Sequence, residues 1–189
     1  MTVSDFSHHY DDEFDCIDLI KLFDQCFASN WNTRLVDGGQ EPIYRPADSK
    51  VTYHQLVFTR DYFSSALHEI AHWCIAGRER RKRIDYGYWY APDGRSSEQQ
   101  YEFERVESRP QALEWIFTKA CNRQFKMSID NLYSTPECVM SFRQAIVRDA
   151  LIYCGNGLPG RAELFYRSLA NYYDVPENIS ALKFNIYEI

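Results

Sequence analysis

Two histidines one helical turn apart, in the string His68-Glu69-Ile70-Ala71-His72, are the residues whose types and spacing offer this chain a chemistry. Side chains four apart on a helix project from the same side. Two imidazoles so placed can grip one metal ion, with Glu69 beside them rather than in line, which is the H-E-x-x-H pattern. Such a site needs deprotonated imidazoles and a third ligand, usually a carboxylate from another helix. Without that third group the pair is two histidines on an amphipathic helix.

Two histidines and a carboxylate fit two reactions. In a zinc peptidase the metal polarises the scissile carbonyl while Glu69 takes a proton from the metal-bound water. In a non-haem Fe(II) oxygenase the same ligands occupy one face of an octahedron and leave positions open for O₂ and a further molecule. Zinc competes well with ferrous iron for nitrogen and oxygen donors, so the ligand types do not choose between them. The motif alone favours the peptidase. A third alternative is a non-catalytic binding protein braced by the metal.

The elements that must position these groups can be read locally. Asp61 suits a helix start, Ser64 and Ser65 its first turn, and Gly77 its exit. Leu67, Ile70, Ala71, Cys74 and Ile75 recur at helical spacing, so one face of this helix is buried. Residues 53–58 form an aromatic and β-branched run, the best strand in the chain, leading directly into the motif helix. Upstream, residues 12–28 carry a wide apolar stripe and predict one amphipathic helix. Residues 33–36 and 42–46 look extended, divided by the turn Asp37-Gly38-Gly39. The pair His8-His9 precedes the first helix and reads as solvated.

The third ligand is sought in residues 98–125, where Glu102, Glu104 and Glu107 precede the apolar run Ala112, Leu113, Trp115, Ile116 and Ala120. Pro110 is expensive inside a helix but tolerated in a first turn. The helix is therefore expected to restart near Ser108 with Glu107 at its mouth. Glu107 is the chosen third ligand and Glu104 the runner-up, against the plainer alternative of exposed helix-start acids. Gln111, four residues beyond Glu107, is placed to support the ligating carboxylate.

After the motif helix come five cations in six residues, Arg78-Glu-Arg-Arg-Lys-Arg83. They suit a solvated helix end or a docking patch for an acidic partner. Tyr86, Tyr88, Trp89 and Tyr90 follow around Gly87, an irregular strand closed by the turn Ala91-Pro-Asp-Gly94. These aromatics are core, or the wall of a pocket taking a cationic side chain by cation–π contact. Thr135-Pro136-Glu137 opens a helix to Gly155, another spans residues 161–173, and a shorter one follows Pro176.

Composition sets the outer bounds. The 189 residues, 45% hydrophobic and 16% aromatic, fit a single domain over residues 1–189 with a substantial core. A net charge of −6 argues against a nucleic-acid binder. No apolar run spans a bilayer and the N-terminus carries no signal-peptide pattern. Six scattered cysteines without a C-x-x-C pair fit a reduced, cytoplasmic protein.

Longer strings narrow the choice. His68-Glu-Ile-Ala-His-Trp-Cys-Ile-Ala-Gly77, then Asp85-Tyr-Gly-Tyr-Trp-Tyr90 and Pro92-Asp-Gly-Arg95, resemble the elongation factor P hydroxylase family. Phe103-Glu104, Val106-Glu107 and Pro110-Gln-Ala-Leu113 continue the resemblance, as do Asn32-Thr-Arg-Leu35, Glu41-Pro-Ile-Tyr44 and Pro46-Ala-Asp48. It covers almost the whole chain and is strongest over residues 58–116. The resemblance implies a cytoplasmic monooxygenase that hydroxylates the β-lysylated lysine of translation elongation factor P. It implies a histidine–carboxylate metal site, which falls on His68, His72 and Glu107, with Fe(II) as the cofactor, O₂ as co-substrate and zinc as the competitor. The expected fold is α+β, predominantly helical with a small sheet and a metallopeptidase-like core around the H-E-x-x-H helix. On that basis Glu69 orients a ligand or relays a proton. The cationic substrate sits among Tyr86, Tyr88 and Trp89 with Asp85 nearby.

Overall fold

The computed structural model describes the backbone of residues 4–59, 62–86, 96–129 and 135–189, and the side chains of those stretches apart from 4–15 and 97. The chain contains two compact units, Met1–Gly87 and Tyr88–Ile189. The boundary falls in the aromatic segment after the cationic run, which has no break in composition to mark it. Among the described residues no helix is long and apolar enough to cross a membrane.

In the first unit, helix α1 (Ser4–Trp31) extends beyond the expected residues 12–28 at both ends. Its buried face is built by Leu19, Leu22, Phe23 and Phe27, at three- and four-residue intervals. Asn32 then takes a left-handed turn (φ 47°). Its amide donates to the Thr52 carbonyl at 2.8 Å, and its own carbonyl accepts from the His54 N–H at 2.7 Å. That turn drops the chain into β1 (Thr33–Gly39), followed by β2 (Ile43–Arg45) and β3 (His54–Thr59). The sheet order is β1-β3-β2, with β3 parallel to β1 and antiparallel to β2. Gly39 is needed where β1 closes on β3, because a Cβ there would stand 2.7 Å from a Val57 methyl carbon and 2.9 Å from the Phe58 carbonyl oxygen.

Helix α2 (Phe63–Ile75) carries the H-E-x-x-H motif and packs on β3 and α1. Its N-cap is Tyr62, without a side-chain cap bond, and the proposed cap Asp61 lies outside the described residues. Ser65 does more than fill the first turn: its hydroxyl accepts the Thr59 N–H at 3.1 Å, tying the end of β3 to α2. Trp73 is sealed against Phe23 and Phe27, with ring centroids 5.3 and 4.7 Å away. Burying such rings is worth several kcal/mol in all, at roughly 1.5–3 kcal/mol per large apolar side chain. The motif helix is thereby fixed in rotation and height. A single 3₁₀ turn, Arg80–Lys82, follows.

The second unit is helical: α3 (Ser97–Ala120), α4 (Pro136–Asn156), α5 (Gly160–Tyr172) and two 3₁₀ turns, Ile179–Ala181 and Ile186–Glu188. α3 opens with a capping box, Ser96 and Gln99 each satisfying the other's backbone N–H. It packs on α4 and α5 around Trp115, which meets Phe125 at 5.6 Å and Phe184 at 4.7 Å, and around Phe117, which meets Phe165 at 5.2 Å. The expected restart near Ser108 does not occur, because α3 runs unbroken through Pro110. An interior proline costs about 3 kcal/mol. Ser108, Pro110, Gln111, Ala112 and Leu113 are all buried, so packing along this stretch offsets that cost. Glu107 consequently lies in mid-helix rather than at a helix mouth.

Candidate metal centre

α2 places its three motif residues as a single turn dictates. His72 and Glu69 are each 7% exposed and His68 is half-buried. The Nε2 atoms of His68 and His72 face one another at 2.9 Å, with ring centroids 4.6 Å apart and planes inclined by 71°. Nitrogens bound to one ion at about 2.0–2.1 Å on adjacent coordination positions stand about 3 Å apart. The pair thus fits a shared cation, the alternative being a single proton held between two neutral rings. A cavity of ≈ 20 Å³, room for about one water, opens beside Glu69 and His72. Tyr44, Trp73, Arg80, Arg81 and Asp85 complete most of its wall.

Asp85 is held from two directions. Its backbone exchanges hydrogen bonds with Tyr44 at 2.7 and 3.0 Å, pinning the chain beyond the cationic run to β2. Its carboxylate takes a two-pronged bond from the Arg80 guanidinium, the arrangement that suits a planar fork. One of the five cations is therefore committed to an internal pair, a contact that neither helical nor strand spacing announces. Tyr86 is 60% exposed. Tyr88 and Trp89, the other aromatics expected to face substrate, lie outside the described residues, as do the side chains of His8 and His9.

In the second unit Glu107 is 2% exposed and Glu104, one turn earlier on α3, 9%. Exposed helix-start acids are thereby excluded. Glu104 accepts a 3.0 Å hydrogen bond from the Gln100 amide. Ser108, next to Glu107, donates from its hydroxyl to Asp149 on α4 at 2.7 Å, a buried bond that fixes the register of α3 at this turn. Gln111 binds the Ser128 backbone with both ends of its carboxamide, at 2.8 and 3.1 Å. It braces the segment after α3 and keeps one amide hydrogen for a further partner. The sequence reading missed Ser108, Asp149 and Ser128, since contacts 41 and 17 residues apart leave no periodic trace.

A match to the family model described as elongation factor P hydroxylase covers residues 22–184. The chain is also 50% identical over 169 residues to the elongation factor P lysine hydroxylase of Haemophilus influenzae, an alignment spanning 89% of this chain and 95% of that protein. A motif helix with converged imidazoles, a buried acid at Glu107 and similarity along nearly the full length lead to one assignment. The chain belongs to the elongation factor P hydroxylase family.

Proposed function

We propose that this protein hydroxylates the β-lysylated lysine of translation elongation factor P, in the cytoplasm, at a site where His68, His72 and Glu107 hold a metal ion. The observation that carries the reading is the 2.9 Å approach of the two Nε2 atoms in a chain of this family. Two imidazoles and a carboxylate are the donor types suited to Fe(II) in oxygenases. When bound, ferrous iron supplies O₂ activation, and zinc in the same place supplies only Lewis acidity.

The chain's own residues do the rest. Glu69, buried beside the pair, holds or moves a proton at its carboxylate rather than priming a hydrolytic water. Gln111 lies on the Glu107 side of α3 and steadies that carboxylate through its remaining amide hydrogen. Tyr86, with Tyr88 and Trp89, receives the cationic lysyl chain by cation–π contact. Asp85 contributes by fixing the strand-like segment that presents Tyr86, its charge being already balanced by Arg80.

The test is intact-mass analysis of β-lysylated elongation factor P after aerobic incubation with the protein, Fe(II) and a reductant. The expected result is the gain of one oxygen atom, lost in His72→Ala and under nitrogen. No mass change with any metal would overturn the proposal. Cleavage of peptides by the zinc form, abolished by Glu69→Gln with metal retained, would establish the peptidase instead.

A further inference from the structure

A second cavity in the first unit, of ≈ 390 Å³, lies against the same wall as the one beside His72. Tyr44, Trp73 and Arg81 line both. What distinguishes the larger one is its charge. Arg78, Arg81, Lys82 and His54 line it, and among the described residues no aspartate or glutamate does. In a chain with 27 acidic and 21 basic residues, that is a local reversal of sign.

The donors are unequally committed. Arg80 is taken by Asp85, and Lys82 is bonded to Glu79 at 2.7 Å. Arg81 is anchored by its main chain, whose carbonyl accepts the Tyr44 hydroxyl at 3.1 Å. Its guanidinium Nη1 is buried with no hydrogen-bond partner among the described residues. Such a group is costly to leave unmatched. His54 accepts the Ala47 N–H on Nδ1 at 2.7 Å, so a neutral His54 carries its proton on Nε2 and donates from there. Trp31 and Trp73 add apolar wall. Cationic and N–H donors beside indole side chains suit a planar carboxylate on a short apolar stem.

We infer that this cavity is a docking subsite for an acidic side chain of the protein substrate. The inference rests on the proposed function for the identity of that substrate. Because Trp73 follows His72 directly and walls both cavities, an anchored glutamate or aspartate holds the partner beside the motif helix while its modified lysine enters. The five-cation run is thereby divided by role: Arg80 is structural, Arg78 and Arg81 bind, and Arg83 lies outside the cavity.

The experiment compares binding of elongation factor P to the metal-loaded protein by titration calorimetry at low and moderate salt, for wild type, Arg78→Glu, Arg81→Gln and Arg83→Glu. Arg78 is exposed, so its variant keeps the fold even where Arg81→Gln perturbs it. The expected result is about tenfold or greater weakening for Arg78→Glu and Arg81→Gln, less than about twofold for Arg83→Glu, and a shallower salt dependence for the first two. Metal content and thermal midpoint serve as folding controls. Equal weakening by Arg78→Glu and Arg83→Glu, or no weakening by Arg78→Glu, overturns the subsite and leaves the hydroxylase proposal standing if wild type still adds oxygen. Failure of wild type to modify elongation factor P overturns both.

Discussion

Ser108 and Asp149 join α3 to α4 by a buried hydrogen bond of 2.7 Å, one residue from Glu107, the acid proposed as third ligand. A contact of this kind sets how far along its axis a helix can slide, and therefore where Glu107 stands. Ser108→Ala removes the donor while Asp149 keeps a weaker 3.3 Å contact with Arg148. Loss of about 1–3 kcal/mol of stability is expected, read from the urea midpoint. Ser108→Thr, which keeps the hydroxyl, should recover part of it.

Glu107 and Glu104 share a face of α3, and metal titration separates them. Glu107→Gln should weaken metal binding at least about 100-fold, more than loss of a supporting residue does. Glu104→Gln keeps the Gln100 contact through its amide oxygen and should change affinity by less than about tenfold. Metal content after dialysis checks both. The reverse ranking would move the ligand to Glu104.

Pro110 gives a prediction that separates stability from function. Pro110→Ala restores a helical N–H to the Val106 carbonyl but gives up some buried ring surface. A net gain of about 1–2 kcal/mol is expected in thermal or urea unfolding. If the proline also shapes the turn carrying Glu107, metal affinity will fall as stability rises. An unchanged affinity would make Pro110 a purely structural cost.

His54 sets a pH dependence with a defined sign. Burial, and secondarily the Arg81 charge, lower its pKa from the ordinary histidine value of about 6.5. As pH falls through about 6.5 the unfolded chain takes up a proton that the folded chain resists. The stability contribution is therefore present above that range, is lost as pH falls toward the folded pKa, and is level below it. Protonation at Nδ1 also removes the acceptor of the Ala47 N–H. His54→Asn should flatten the slope of unfolding free energy between pH 7.5 and 5.5, measured with urea.

Alkylation maps the thiols. Burial pushes the Cys74 and Cys121 thiols far above their ordinary range. Both should resist iodoacetamide at pH 8 until denaturant is added, whereas the partly exposed Cys138 should react first. Peptide mass mapping reads the order.

The sequence by itself determined the motif helix, the strand before it, the extended segments at residues 33–36 and 42–46, and the helices opening at Thr135 and near Arg161, whereas the turn expected at Asp37-Gly38-Gly39 is the end of β1. Each rests on short-range rules: periodic apolar residues, caps, and the turn preferences of glycine and proline. It also pointed to the pairing of His68 with His72, because one turn of helix brings them together whatever surrounds it. Local rules misjudged α3, where Pro110 promised a break and burial along the helix outweighed it. Only tertiary structure decided that Glu107 is buried in mid-helix, that Arg80 is spent on Asp85, that Gln111 holds Ser128, and that Arg81 and His54 share a cavity. These relations join residues with no periodic spacing, and their energies come from burial and hydrogen bonds that exist only once the chain has closed.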